Sequence, residues 1–131
     1  MRPRTRCRPK LRDESGAAAV EFALILGLLL TVLFAIVQFG LYYSEVVVLT
    51  GAAREGARVA AVREPDEVEE RVLDAADPYT VNGSISVSTV CDEATQGDPV
   101  TVSWTQTIEV DLVLLWPITA TPDIAAIFRC E

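Results

Sequence analysis

Few side chains in this 131-residue sequence could perform chemistry, and their types narrow it at once. There is no histidine, which removes Ser-His-Asp and Cys-His catalysis, imidazole-ligated zinc and imidazole proton transfer near neutral pH. Three cysteines, Cys7, Cys91 and Cys130, are too few for a four-thiolate metal site. Ser84, Ser86, Ser88 and Ser103 fall in strand-like patterns with no histidine or lysine nearby to activate them. Glu109 and Asp111 would share a strand face as a carboxylate pair, but so would any two outward polar positions, and a small head offers little cleft. The acidic run from Asp66 to Asp74 lacks the glycine and alternating oxygen ligands of a calcium loop, and reads as a solvated helix face. No catalysis is expected, and no cofactor or metal. What remains is one charge in an unusual place, Glu21, and one candidate staple, Cys91 with Cys130.

Both depend on the elements that carry them. From Phe22 to Tyr43 the chain runs FALILGLLLTVLFAIVQFGLYY, without a charge. As a helix rising about 1.5 Å per residue it would span roughly 33 Å, enough for a hydrocarbon layer of about 30 Å. Backbone groups in lipid must be satisfied within the segment, so it is expected to be helical. Residues 1–16 hold six of the eleven basic residues (Arg2, Arg4, Arg6, Arg8, Lys10 and Arg12) against two acids, whereas the rest of the chain has five against seventeen. The basic tip predicts a cytoplasmic N-terminus with the remainder outside. The acidic body is unsuited to neutralising phosphates, so nucleic acid is not an expected partner. A cleaved secretory signal has a shorter apolar region ending at an A-x-A-like site, and an unprocessed signal anchor would look the same as this span.

Glu21 stands at the leading edge of the span, where a carboxylate is costly by a few kcal/mol. At the cytoplasmic interface it would pair with Arg12. Alternatively, a cut after Gly16 would create an ammonium group on Ala17, four residues and about one helical turn before Glu21, and the pair would offset much of the cost of each charge. The run RDESG-AAAVEF-ALILGLLL resembles a class 3 prepilin signature: basic leader, Gly, four mostly small residues, Glu, an aromatic (Phe22) and an apolar helix. Further on, Leu49–Ala61 (LTGAAREGARVAA) resembles the AAREGAR-x-AA element of TadE-like pilus-assembly proteins. Gly27 departs from the proline that many relatives carry early in the helix.

The second element makes physical sense as helix. Arg54 and Arg58 share a face, Glu55 reaches Arg58 at i+3, and Ala52, Ala53, Ala57, Ala60 and Ala61 permit close packing on either side of Gly56. An ordinary solvated amphipathic helix would account for the arginines equally well. One helix from Ala17 to Glu64 would be about 72 Å long.

Pro65 opens a second helix over Asp66–Ala76, with Val68, Val72, Leu73 and Ala76 on one face. One strand is expected from about 79 to 91, with the Asn82-Gly83 turn signal open to interrupting it, and another over Val100–Leu114, where apolar residues alternate except at Gln106 and a bend can intervene. Asp92–Pro99 is a loop, and Ile118–Cys130 forms a third strand or a loop and strand. Trp104, Trp116 and Phe128 are expected in the core or against the helix. With Cys7 in the cytoplasmic leader, Cys91 and Cys130 both fall outside, where a disulfide is the usual staple of a small head. It would contribute on the order of 3–4 kcal/mol; two free buried thiols are the alternative.

The expected class is α+β: a long transmembrane helix continuing into a small head with a short helix and an antiparallel sheet, pilin-like in outline. Three regions follow: a leader (1–16), a spine (17–64) and an extracytoplasmic head (65–131). The resemblance implies a pseudopilin or minor pilin of a Tad-type pilus, in the bacterial cytoplasmic membrane and extending to the cell surface. Its implied partners are a prepilin peptidase, other pilins and pseudopilins, the inner-membrane assembly platform and the lipid bilayer. An unprocessed single-pass envelope protein, whose head is an interaction module of a secretion complex, is the alternative.

Overall fold

The computed structural model describes residues 14–62, 65–110 and 117–131. The expectations for the leader before residue 14, with Cys7 and Arg12, and those for Glu64, Asp111, Leu112, Leu114 and Trp116, lie outside the described residues.

No proline interrupts the chain between Pro9 and Pro65, and leucine and alanine dominate the stretch. It forms one helix, α1, over Glu14–Ala61. It starts three residues earlier than expected, and its last helical residue is Ala61. Hydroxyls inside it are satisfied locally: Thr31 donates to the Gly27 carbonyl (2.9 Å) and Thr50 to that of Val46 (2.7 Å). The last turn tightens through Val62 N–H to the Val59 carbonyl, and the Glu131 N–H donates to the Ala61 carbonyl at 3.0 Å. The C-terminus of the chain thereby satisfies one of the carbonyls that a helix end leaves open.

A 3-10 turn over Pro65–Glu67 leads into α2, Val68–Ala76. Val68, Val72 and Ala76 are buried against α1, each valine contributing about 1.5–3 kcal/mol by its removal from water. Leu73, expected on this face, is exposed. It falls one residue beyond Val72, about 100° around the helix, and so turns outward.

The sheet is antiparallel in two parts. Strands β1 (Ser86–Val87), β2 (Pro99–Thr105) and β5 (Asp123–Arg129) form one sheet in the order β1-β2-β5. Strands β3 (Ile108–Val110) and β4 (Ile118–Ala120) form a separate hairpin. The pairing sets Val102 opposite Ala126 and Trp104 opposite Ile124, and these inner-face side chains are buried with the upper part of α1. Phe128, opposite Val100, lies at the rim and remains 39% exposed, so it is not a core residue.

Two expected strands are altered. The 79–91 strand is reduced to Ser86–Val87; before it, Asn82 gives its N–H to the Gln106 side chain and pairs with Thr107 through its own side chain. Its Nδ2 donates to the Thr107 carbonyl (2.7 Å) and its Oδ1 accepts from the Thr107 N–H (2.9 Å). The long strand beginning at Val100 is split after Thr105: the Gln106 N–H still reaches the Pro122 carbonyl in the β2–β5 register, but Pro122 has no N–H to return the bond. Between Cys91 and Pro99 the loop is held by Asp92 Oδ1, which accepts from the Ala94 and Thr95 amides at 2.9 Å. Gly97 takes φ +87°, a conformation that favours glycine, and its N–H donates to the Cys130 carbonyl.

Candidate functional site

The residues with a foreseeable role fall into a free helical spine, a helix–head junction and a covalent staple. Over the lower spine the apolar side chains point outward and nothing in the head covers them: Leu24 is 72% exposed and Leu28 71%. A helix that is apolar all round and uncovered is unlike the buried core helix of a soluble domain. The helix is long and apolar enough to cross a bilayer once.

Gly16 and Ala17 are exposed, and their bond lies in the first turn of α1. The N–H groups of a first turn have no intrahelical acceptor, so this turn opens at little cost. Glu21 and Phe22 are exposed one turn further on, Glu21 four residues after Ala17 on the same side of the helix.

At the other end, the AAREGAR element is divided between two faces. Ala52, Ala53, Gly56, Ala57 and Ala60 are buried, whereas Arg54, Glu55 and Arg58 are exposed. At Gly56 α1 and α2 pack closely, since a Cβ there would overlap Val72 Cγ2. Sequence reasoning identified Gly56 by resemblance alone; its packing reason appears only once α2 folds back. The Arg58 Nε donates to Glu55 Oε2 at 3.2 Å, the expected i+3 pair, with both side chains about half or more exposed.

The staple is formed: Cys91 and Cys130 are bonded, with Cα atoms 5.4 Å apart and both residues buried. It ties the entrance of the 92–98 loop to the C-terminus that caps α1.

One polar cluster was not foreseen. Gln106 is 1% exposed, and its amide is fully engaged. Oε1 accepts from the Asn82 N–H (3.2 Å) and the Trp104 Nε1–H (3.3 Å), while Nε2 donates to the Thr80 carbonyl (2.9 Å) and to Glu45 Oε1 (3.4 Å). Close by, the Tyr79 hydroxyl donates to Ser44 Oγ at 3.2 Å. These contacts fasten the head to α1 just above the last residue of the uncharged run, Tyr43. The available signal was Gln106 itself, a polar residue at an inward position of an apolar alternation. Among the described residues no group of three or more thiol, carboxylate or imidazole side chains could hold a metal ion.

No curated protein and no solved structure matches the chain. A family model described as TadE-like protein matches residues 16–58, beginning at the Gly16-Ala17 bond, covering the exposed apolar spine and ending at Arg58. That segment, nearly the whole of α1, is what the chain shares in pattern with the TadE-like family.

Proposed function

We propose that this protein is a pseudopilin or minor pilin acting in assembly of a Tad-type pilus, a structural subunit and not an enzyme. The observation that carries this reading is the coincidence of the TadE-like match with a long helix whose lower apolar surface the chain's own head leaves uncovered. Such a spine needs lipid or other helices around it, and a subunit that passes from membrane to fibre meets both in turn. A prepilin peptidase cuts between Gly16 and Ala17, where opening the first turn breaks few hydrogen bonds. The Ala17 ammonium then stands one turn from Glu21, or reaches the Glu21 of a neighbouring copy, and offsets the cost of carrying that carboxylate at membrane depth. The N-terminus faces the cytoplasm and the head lies outside the cytoplasmic membrane, where Cys91 and Cys130 oxidise. Other pilins, pseudopilins and the inner-membrane assembly platform are the partners.

Intact mass and N-terminal sequencing of the protein recovered from membranes test this. A chain beginning at Ala17, with Gly16→Leu blocking that maturation, is the expected result. A chain beginning at Met1 or Arg2 overturns it and leaves an unprocessed single-pass protein whose head serves as an interaction module.

A further inference from the structure

The β3–β4 hairpin turns back along α1 instead of continuing the main sheet. Its level on the helix is fixed at two points. At its root, Gln106 Nε2 lies 3.4 Å from Glu45 Oε1. Further along, Val110, Ile118 and Ala120 form one wall of an open apolar groove whose other wall is Ala35, Phe39 and Tyr42 of α1. The two spacings agree: four strand residues from Gln106 to Val110 descend about 13 Å, and six to ten helical residues from Glu45 to Phe39 and Ala35 descend about 9–15 Å. The hairpin therefore runs beside the outer end of the uncharged stretch Phe22–Tyr43, not above it.

Its two faces differ in chemistry. The register sets Ile108 opposite Ala120 and Val110 opposite Ile118 on one face, with Glu109 opposite Thr119 on the other. Ile108 is buried near the root, but Ile118 is 52% exposed and faces a groove whose helical wall includes Phe39, itself 67% exposed. Glu109 and Thr119 are exposed on the polar face. A free strand edge is excluded from the hydrocarbon interior because its amides and carbonyls would lack partners, yet headgroups and water can satisfy it at the interface. An element with one apolar and one polar face, set against the end of a span, has the chemistry of an interfacial anchor.

We propose that the β3–β4 hairpin is a second membrane contact, seated at the outer headgroup–acyl boundary, with lipid acyl chains filling the groove between Phe39 and Ile118. The choice of lipid rests on the proposed transmembrane reading of α1: the helical wall of the groove is continuous with the span, so lipid around the span reaches the groove without a break. The head is then held at a set height and rotation on the membrane before it joins any assembly.

The test uses the full chain in a Cys7→Ser background, where Cys91 and Cys130 are already bonded. Single cysteines at Leu29→Cys, Ile118→Cys and Thr119→Cys each carry a fluorescent label, in vesicles at high dilution in lipid. Lipids with a nitroxide near the headgroup should quench the label at 118 several-fold more than that at 119, and aqueous iodide should do the reverse. Lipids with a mid-chain nitroxide should quench the label at 29. Equal iodide access at 118 and 119 while 29 remains lipid-quenched overturns the hairpin anchor and leaves the span intact. Loss of lipid quenching at 29 removes the span itself. Protection of 118 that appears only at high protein density assigns the groove to a second copy of the chain and overturns lipid as its occupant.

Discussion

Gly56 of α1 faces Val72 of α2 with no space for a side chain between them; a Cβ on Gly56 would overlap the Val72 Cγ2 methyl. Val72 is fully buried and stiff about χ1, and Val68 and Val102 also crowd the site. Alanine is the better helix former by about 1 kcal/mol, so in an open helix Gly56→Ala would stabilise. Here the overlap should win: Gly56→Ala is expected to lower the thermal unfolding midpoint of the head in detergent, and Gly56→Val to cost about 1–3 kcal/mol or more. Combining Gly56→Ala with Val72→Ala should recover part of the loss, with a coupling of about 0.5–3 kcal/mol in a double-mutant cycle. Strict additivity would show that the two residues do not limit each other.

Removing the staple should be felt throughout the head. Cys91→Ser with Cys130→Ser opens a loop whose ends are 39 positions apart, a loss of about 3–4 kcal/mol in the chain-entropy model. The same bridge holds the last residues where the Glu131 N–H reaches Ala61. Hydrogen exchange should therefore rise at the C-terminal turn of α1 as well as in the 92–98 loop, while the apolar span stays unchanged. Exchange confined to the loop would count against the C-terminus as a cap.

Gln106 should tolerate almost no substitution. Gln106→Leu keeps the bulk but orphans the Asn82 N–H, the Trp104 indole N–H and the Thr80 carbonyl, each at about 1–3 kcal/mol if no water reaches it. Gln106→Glu retains two acceptors but loses both Nε2 donations and places a second carboxylate beside Glu45. Both variants should unfold at lower temperature than Thr107→Ser, with a shift in Trp104 fluorescence. An unchanged midpoint for Gln106→Leu would mean that this cluster does not fasten the head to α1.

The exposed charges should behave in the opposite way. The Arg58–Glu55 pair is solvent-screened and of a kind that contributes about 0–1 kcal/mol. Glu21 is exposed on the spine and distant from the head. Arg54→Ala, Arg58→Ala and Glu21→Ala should thus leave the unfolding midpoint within about 0.5 kcal/mol of the parent. If these residues serve contacts between subunits, the same variants should insert and fold yet fail to appear in surface fibres. Normal fibre assembly by Glu21→Ala would remove the case for its pairing with the Ala17 ammonium.

Several features were determined by local sequence. A run without charge or proline forms a helix because its backbone can be satisfied from within, and its length alone suits a bilayer. The alternation from Val100 to Trp104 fits one buried face of a strand, and the two cysteines beyond the span find each other as expected. The Gly16–Arg58 pattern is legible because its spacing lies within one helix. Other features were decided by residues distant in the chain. The Asn82 side chain finds its partners on Thr107, and the β2–β5 ladder stops after Thr105 because Pro122 has no N–H to return the Gln106 bond, while the Gln106 side chain engages Thr80, Asn82, Trp104 and Glu45. Leu73 and Phe128 are apolar by type, but the angle of α2 and the edge of the sheet leave them exposed. Whether Gly56 is a defect or a fit, and whether the hairpin leaves α1 or returns beside it, depends on which surfaces meet, and only the tertiary structure brings those surfaces together.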